Sequence, residues 1–160
     1  MPCISRKDTF NRHLLPVSAA GYTYFSFYNH TLTGLKAFPL YEGSYSVDNS
    51  KKFIPFDPAI HSTKDRPASL FIYVQPFLIE TANDLILLDT GLGFHNEGGE
   101  FVLHESIRKA GFSPDDVSLV LMSHLHFDHS GGMINKTDSS ATISFPQAEY
   151  VIQRKEWEAA

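Results

Sequence analysis

Residues 123–132 read Ser-His-Leu-His-Phe-Asp-His-Ser-Gly-Gly, and they follow the apolar run Leu119-Val120-Leu121-Met122 without a gap. Three of the chain's eight histidines fall within six positions here, with an aspartate among them. From the chain's own His and Asp frequencies, a chance His-x-His-x-Asp-His match is roughly a one-in-a-thousand event. In an extended segment, residues two apart project to the same side, so His124 and His126 can chelate one ion through their imidazoles. Asp128 and His129 come where the chain must turn, helped by Gly131 and Gly132, and can face a neighbouring ion. Imidazole and carboxylate suit Zn²⁺, and Fe or Mn as well, so donor type alone leaves the metal open. The competing reading, a set of solvated loop histidines, fits poorly with a loop that leaves a buried strand.

Working outward, the segment before the motif has local signals at each step. Leu103, Ile107 and Ala110 share one face and predict a helix over 101–110, with Gly111 as its C-cap. Ser113-Pro114-Asp115-Asp116 has an N-cap serine followed by proline at the first helical position, and leads into a buried strand at 119–122. Further upstream, 71–80 predicts a strand in which Pro76 marks an edge or a bulge. The turn 81–84 then leads to a short buried strand at 85–88, so that 71–80 and 85–88 pair as an antiparallel hairpin with Asp89 ending it beside the motif. Residues 48–69, with Pro55, Pro58 and Pro67, read as a loop. Residues 22–47, rich in Tyr, Phe, Thr and Val, read as short antiparallel strands. After the motif, 148–153 is a strand candidate and 154–160 the start of a helix. Residues 1–20 read as a loose lead-in and 21–160 as part of one domain. The order of elements predicts a layered α/β (α+β) domain with helices outside a sheet.

Composition narrows the function classes. Of the 160 residues, 42% are hydrophobic and 19% charged, within the globular range. A formal charge of −5, with 13 scattered basic residues, argues against a nucleic-acid partner. Lys, Asp, Glu or Asn interrupts every apolar run before transmembrane length, so no membrane partner and a cytoplasmic location are expected. Cys3 is the one cysteine, which rules out an intrachain disulfide.

His124-Leu-His126-Phe-Asp128-His129-Ser-Gly-Gly resembles the signature of the metallo-β-lactamase superfamily. Leu87-Leu88-Asp89-Thr90-Gly91-Leu92-Gly93 resembles that family's earlier Asp-Thr-Gly element, and the spacing of the two elements fits as well. The resemblance covers about 71–158, more weakly 22–47. Phe145-Pro146-Gln147-Ala148-Glu149-Tyr150 with Glu156-Trp157 resembles the N-acyl homoserine lactonase-like branch. Trp157 and the tyrosines of 22–28 are expected in the core or an interface rather than on substrate.

The resemblance implies a metallo-β-lactamase-type αββα sandwich, of which this chain carries the N-terminal half. It implies two zinc ions, with Fe or Mn as alternatives. His124 and His126 would bind the first ion, and Asp128 and His129 the second. Asp128 is also the candidate catalytic residue, and Asp89 sits beside the site to orient a ligand or water. The implied activity is hydrolysis of a small-molecule ester, lactone or thioester through a metal-bound hydroxide. The family takes a further His, a bridging Asp and a last His from downstream, yet no histidine follows His129. A fragment, a truncated product, or a chain completed by a homo-oligomer or a complementing C-terminal half are the alternatives. The incomplete site would be inactive alone. Rival functions are a phosphodiesterase of the same fold and a non-catalytic metal-binding or assembly half-domain.

Overall fold

The structure, a computed structural model, describes residues 34–160. The readings placed on residues 1–20, on Cys3 and on 22–33, including the tyrosines of 22–28, lie outside the described residues. In chain order the elements are β1 (Lys36–Pro39), β2 (Gly43–Val47), β3 (Ile54–Pro55), β4 (Leu70–Val74), β5 (Phe77–Glu80) and β6 (Leu85–Leu88). They continue with α1 (Val102–Lys109), β7 (Leu119–Leu121), α2 (Phe127–Ser130), β8 (Ile134–Lys136), β9 (Ala141–Ile143), β10 (Glu149–Val151) and α3 (Arg154–Ala159).

Strands β1-β5-β6-β7-β10 form a five-stranded sheet, β3-β2-β4 a three-stranded one, and β8-β9 a separate ribbon. In the large sheet, β5 runs antiparallel to both β1 and β6, whereas β6, β7 and β10 run parallel. The parallel step from β6 to β7 requires a crossover, and α1 supplies it. Its face carries Leu103 and Ile107, which pack with Leu78, Leu87 and Val120 of the sheet and with Phe101, Met122 and Phe145 in one buried cluster. Each fully buried leucine or isoleucine contributes about 1.5–3 kcal/mol of transfer free energy, so this cluster is the main source of stability. A smaller cluster of Tyr45, Val74 and Leu92 lies under the three-stranded sheet. Among the described residues, no helix is long and apolar enough to cross a membrane.

The 71–80 stretch is two strands rather than one. Pro76 has no N–H to donate, so the ladder breaks there. β4 pairs with β2 in the small sheet, and β5 pairs with β1 and β6 in the large one. Only 77–80 therefore forms the hairpin with 85–88. The first segment changes sheets at the same place: Leu40 N donates to Pro76 O at 2.8 Å and Glu42 N to Val74 O at 3.0 Å. Pro39 pairs with Phe77 and Gly43 with Val74, so Leu40-Tyr41-Glu42 faces only Gln75-Pro76. This is a bulged corner between two sheets.

Of the remaining expectations, some are met and some are corrected. Helix α1 ends beside Gly111, and Ser113 caps the short 3₁₀ turn Pro114–Asp116 with its hydroxyl. Within the described part of 22–47, β1 and β2 pair with β5 and β4 rather than with each other. The 48–69 loop contains β3 and a 3₁₀ turn at Thr63–Asp65. Trp157 is 69% exposed, so among the described residues it is not a core group.

Candidate metal centre

The two motif loops leave the large sheet side by side. β6 ends at Leu88 and β7 at Leu121, paired neighbours in the parallel ladder. The next residues carry the site, at the carboxyl ends of parallel strands where open α/β sheets place their ligands. Asp89 N donates to Leu121 O at 3.0 Å, extending the ladder by one step. Asp89 then turns the chain with φ of 59°, a left-handed conformation that few residues other than glycine adopt. Such strain persists where the surroundings over-determine it.

Here the surroundings are hydrogen bonds. Asp89 Oδ1 accepts from Ser123 N at 2.7 Å, and Oδ2 accepts from Ser123 Oγ at 2.7 Å and from His129 Nδ1 at 2.9 Å. Burial pushes the Asp89 carboxyl up, but the hydrogen bonds from His129 and from the Ser123 amide and hydroxyl outweigh it, and the group lies below its ordinary range. An ionised carboxylate only accepts, so His129 Nδ1 carries the proton. In the neutral ring this leaves Nε2 with a free lone pair. That atom lies 3.8 Å from Asp128 Oδ2. The Ser123 hydroxyl donates to Asp89, so it accepts from His124 Nδ1 at 3.0 Å, which sets His124 to the same tautomer. One aspartate thereby orients two imidazoles, one directly and one through a serine.

The three imidazoles are neighbours. Ring centroids of His124 and His126 are 4.6 Å apart, and those of His124 and His129 are 4.0 Å apart. His126 opens α2, where its carbonyl accepts from His129 N and Ser130 N, both at 2.9 Å. Leu125 N, between His124 and His126, donates to Glu156 Oε2 of α3 at 3.3 Å. The donor set, three imidazoles and a carboxylate with at least two Nε2 atoms free, has the chemistry of a divalent metal site. Among the described residues, no group of three or more His, Cys, Asp or Glu side chains is arranged to close around one ion.

The two loops are also locked to each other. Thr90 N and Thr90 Oγ1 both donate to His129 O, at 2.7 and 3.0 Å, and Gly132 N donates to Gly91 O at 3.1 Å. A Cβ at Gly132 would fall inside the contact distance of Thr90 O, so the second motif glycine answers a packing demand. Beside the locked loops lies a cleft of about 140 Å³, with Tyr73, Val74, Gln75 and Pro76 on one wall and Asp89, Gly91, Asp128 and His129 on the other.

One contributor carried no sequence signal. Glu42, 7% exposed, sits at the corner between the two sheets. Its Oε2 accepts from Leu92 N at 2.7 Å and its Oε1 from Gly93 N at 2.9 Å and Phe94 N at 3.3 Å. Burial raises its pKa, against the lowering effect of those three amides. A glutamate in no motif, some fifty residues away from its partners, shows no local pattern from which its burial could be read.

Residues 71–135 match a family model described as Metallo-beta-lactamase superfamily. An N-acyl homoserine lactonase of Bacillus thuringiensis is 33% identical over 103 residues, which cover 52% of this chain and 38% of the relative. Another N-acyl homoserine lactonase, from a Bacillus species, is 32% identical over 121 residues, covering 64% of this chain and 45% of the relative. Among solved structures, the dizinc quorum-quenching lactonase AidC superposes with a TM-score of 0.56 at 32% identity, over 78% of this chain and 43% of that one. In fold and in sequence, the chain is similar to the metallo-β-lactamase superfamily. Within that superfamily it resembles the N-acyl homoserine lactonases. It spans less than half the length of the curated relatives it matches.

Proposed function

We propose that this chain supplies the metal-binding side of a metal-dependent hydrolase that opens small lactones, with N-acyl homoserine lactones as the first substrates to test. The observation that carries the reading is the closeness of His124 to His126 and His129, and of His129 to Asp128, on the loop after β7, with Asp89 of the neighbouring strand bonded to His129. The names of the relatives support the substrate class. His124 and His126 would hold one zinc ion, and Asp128 and His129 a second. When bound, the metal supplies a Lewis acid for the substrate carbonyl and makes water nucleophilic near neutral pH.

The chain's own residues do the rest. Asp89 and Ser123 hold the Nδ1 protons of His129 and His124, which keeps both Nε2 atoms as donors toward metal. The Tyr73–Pro76 wall closes one side of the cleft against Asp128 and His129, restricting where a bound lactone can lie. In the overall reaction, water adds to the acyl carbon, the ring C–O bond breaks, and the ring oxygen leaves as a hydroxyl on an acid. Asp128 lines the cleft and would orient the attacking water.

Four protein ligands for two ions are two each, fewer than the three a catalytic zinc keeps. The 160-residue chain alone is therefore expected to take up metal weakly and to open lactones at background rate. Supplying the family's downstream His, Asp and His on a complementing C-terminal segment should restore both. The test is zinc stoichiometry by mass spectrometry together with proton release from a lactone and ester panel, run beside His126→Ala and Asp128→Ala. Uptake of zinc by wild type and both variants alike would refute the ligand assignment. An inactive complemented chain with full metal would refute the lactonase reading.

A further inference from the structure

Glu42 is a buried carboxylate that the proposed chemistry does not use, and its place in the fold is unusual. It is the last residue of the three that face two at the corner where both chain segments cross from one sheet to the other. An extra residue at a bulge re-aims a side chain, and here the side chain points away from the ladder into the turn that follows Asp89-Thr90-Gly91. There it gathers three consecutive amides, those of Leu92, Gly93 and Phe94. Removing such an acceptor leaves buried N–H groups unsatisfied, a strongly unfavourable state. The approach is close: a Cβ at Gly91 would lie 2.8 Å from Glu42 Cδ, so the backbone there meets the carboxylate directly. Tyr45, three residues on, is pushed up to about 12 by burial first and then by the charge of Glu42 and by Tyr41.

The same corner carries one wall of the cleft. Val74 and Pro76 accept the Glu42 and Leu40 amides, and Tyr73–Pro76 faces Asp128 and His129. The turn held by Glu42 is in turn bonded to the metal loop through Thr90–His129 and Gly91–Gly132. The chain of contacts is therefore continuous: wall, Glu42, Leu92–Phe94 turn, metal loop.

We infer that Glu42 is a positioning residue, which fixes the metal loop against the Tyr73–Pro76 wall and so sets the width of the cleft and the placement of Asp128 and His129. The inference rests on the proposed metal site for its functional meaning but on the structure alone for the mechanical coupling. Glu42→Gln keeps the size and turns one acceptor into a donor that faces the Leu92 amide.

Amide hydrogen exchange on the metal-free chain is the primary test. In Glu42→Gln, protection should fall at Leu92, Gly93 and Phe94 and also at Thr90 and Gly132, which Glu42 does not touch, while Leu78 and Leu87 stay protected. Zinc affinity, measured by competition with a chromophoric chelator, should drop about tenfold, the scale seen when a group that orients metal ligands is lost. Should the variant not fold, wild type decides the matter: exchange at rising sub-denaturing urea should show the five amides opening with one free energy and one slope. Opening of Leu92–Phe94 with Thr90 and Gly132 unmoved, or two separate opening units in wild type, would overturn the inference. Failure of the wild-type chain with its complementing C-terminal segment to bind zinc would sink the metal reading instead, and the exchange measurements would still decide the coupling.

Discussion

Gly132→Ala isolates the packing between the two motif loops. Gly132 does not have a left-handed backbone, so alanine adds no conformational strain there. The added Cβ would overlap Thr90 O and would lie 3.0 Å from Thr90 C and 3.2 Å from Phe101 Cζ. Two of these three atoms are backbone and cannot rotate away. Overpacking a tight site costs about 1–3 kcal/mol. Separating the loops also weakens Gly132 N–Gly91 O and Thr90 N–His129 O, each worth about 1 kcal/mol net. The expected loss is about 3 kcal/mol, which is about 6–12 °C in Tm for a chain of this size. Gly99→Ala is the matched control: it has φ of 78° and nothing within 4 Å, so its loss is backbone strain alone, about 1–2 kcal/mol. Urea unfolding followed by far-UV circular dichroism, metal-free, measures both. A Gly132→Ala loss smaller than that of Gly99→Ala would show that the loops are not locked.

Asp89→Asn should release the tautomer of His129: long-range ¹⁵N–¹H spectra of wild type should show the proton on Nδ1, and the variant a mixture, with an unchanged spectrum refuting the assignment. His104 is held below its ordinary pKa by burial among Phe101 and Phe145, opposed by its bond to Ser144 O. The unfolded chain then binds the proton more readily, so stability contributed by His104 is present above about pH 6.5 and lost as pH falls toward the folded value. Urea midpoints between pH 7.5 and 5 should fall less steeply in His104→Gln than in wild type, and parallel slopes would count against this. Leu87→Ala, at a fully buried position between α1 and the sheet, should cost about 2–5 kcal/mol in the same assay.

Much of the local structure around the motif could be read in advance because its signals are local. Helix α1, its glycine stop, the Ser113-Pro114 start and the strand into His124 each depend on residues within one turn of each other. The convergence of Asp89 on the motif followed from two short elements at a familiar spacing. What could not be read was non-local. Pro76 marked an irregularity in 71–80, yet whether a proline bends a strand or divides it between two sheets depends on partners, here Leu40 and Glu42, that are more than thirty residues away. β1 and β2 follow each other in the chain, yet they pair with β5 and β4. Residues 134–143 contain no strong alternation, and the β8–β9 ribbon there rests on its own turn, closed by Thr137 and Ser140. Glu42 matters for where it lies, and a lone glutamate carries no pattern that reveals this.

The parallel run of β6 beside β7 has a consequence for how such a centre can change. Neighbouring strands are held about 4.8 Å apart by their ladder. Whatever residue follows Leu88 is therefore presented one strand spacing from whatever follows Leu121. The interval is a ruler built from backbone, indifferent to the side chains mounted on it. A substitution in either loop alters which atoms meet, and the gauge at which they meet stays the same. Reassigning the chemistry of this edge, by selection or in the laboratory, is then a matter of rewriting short overhangs on a frame that need not be rebuilt.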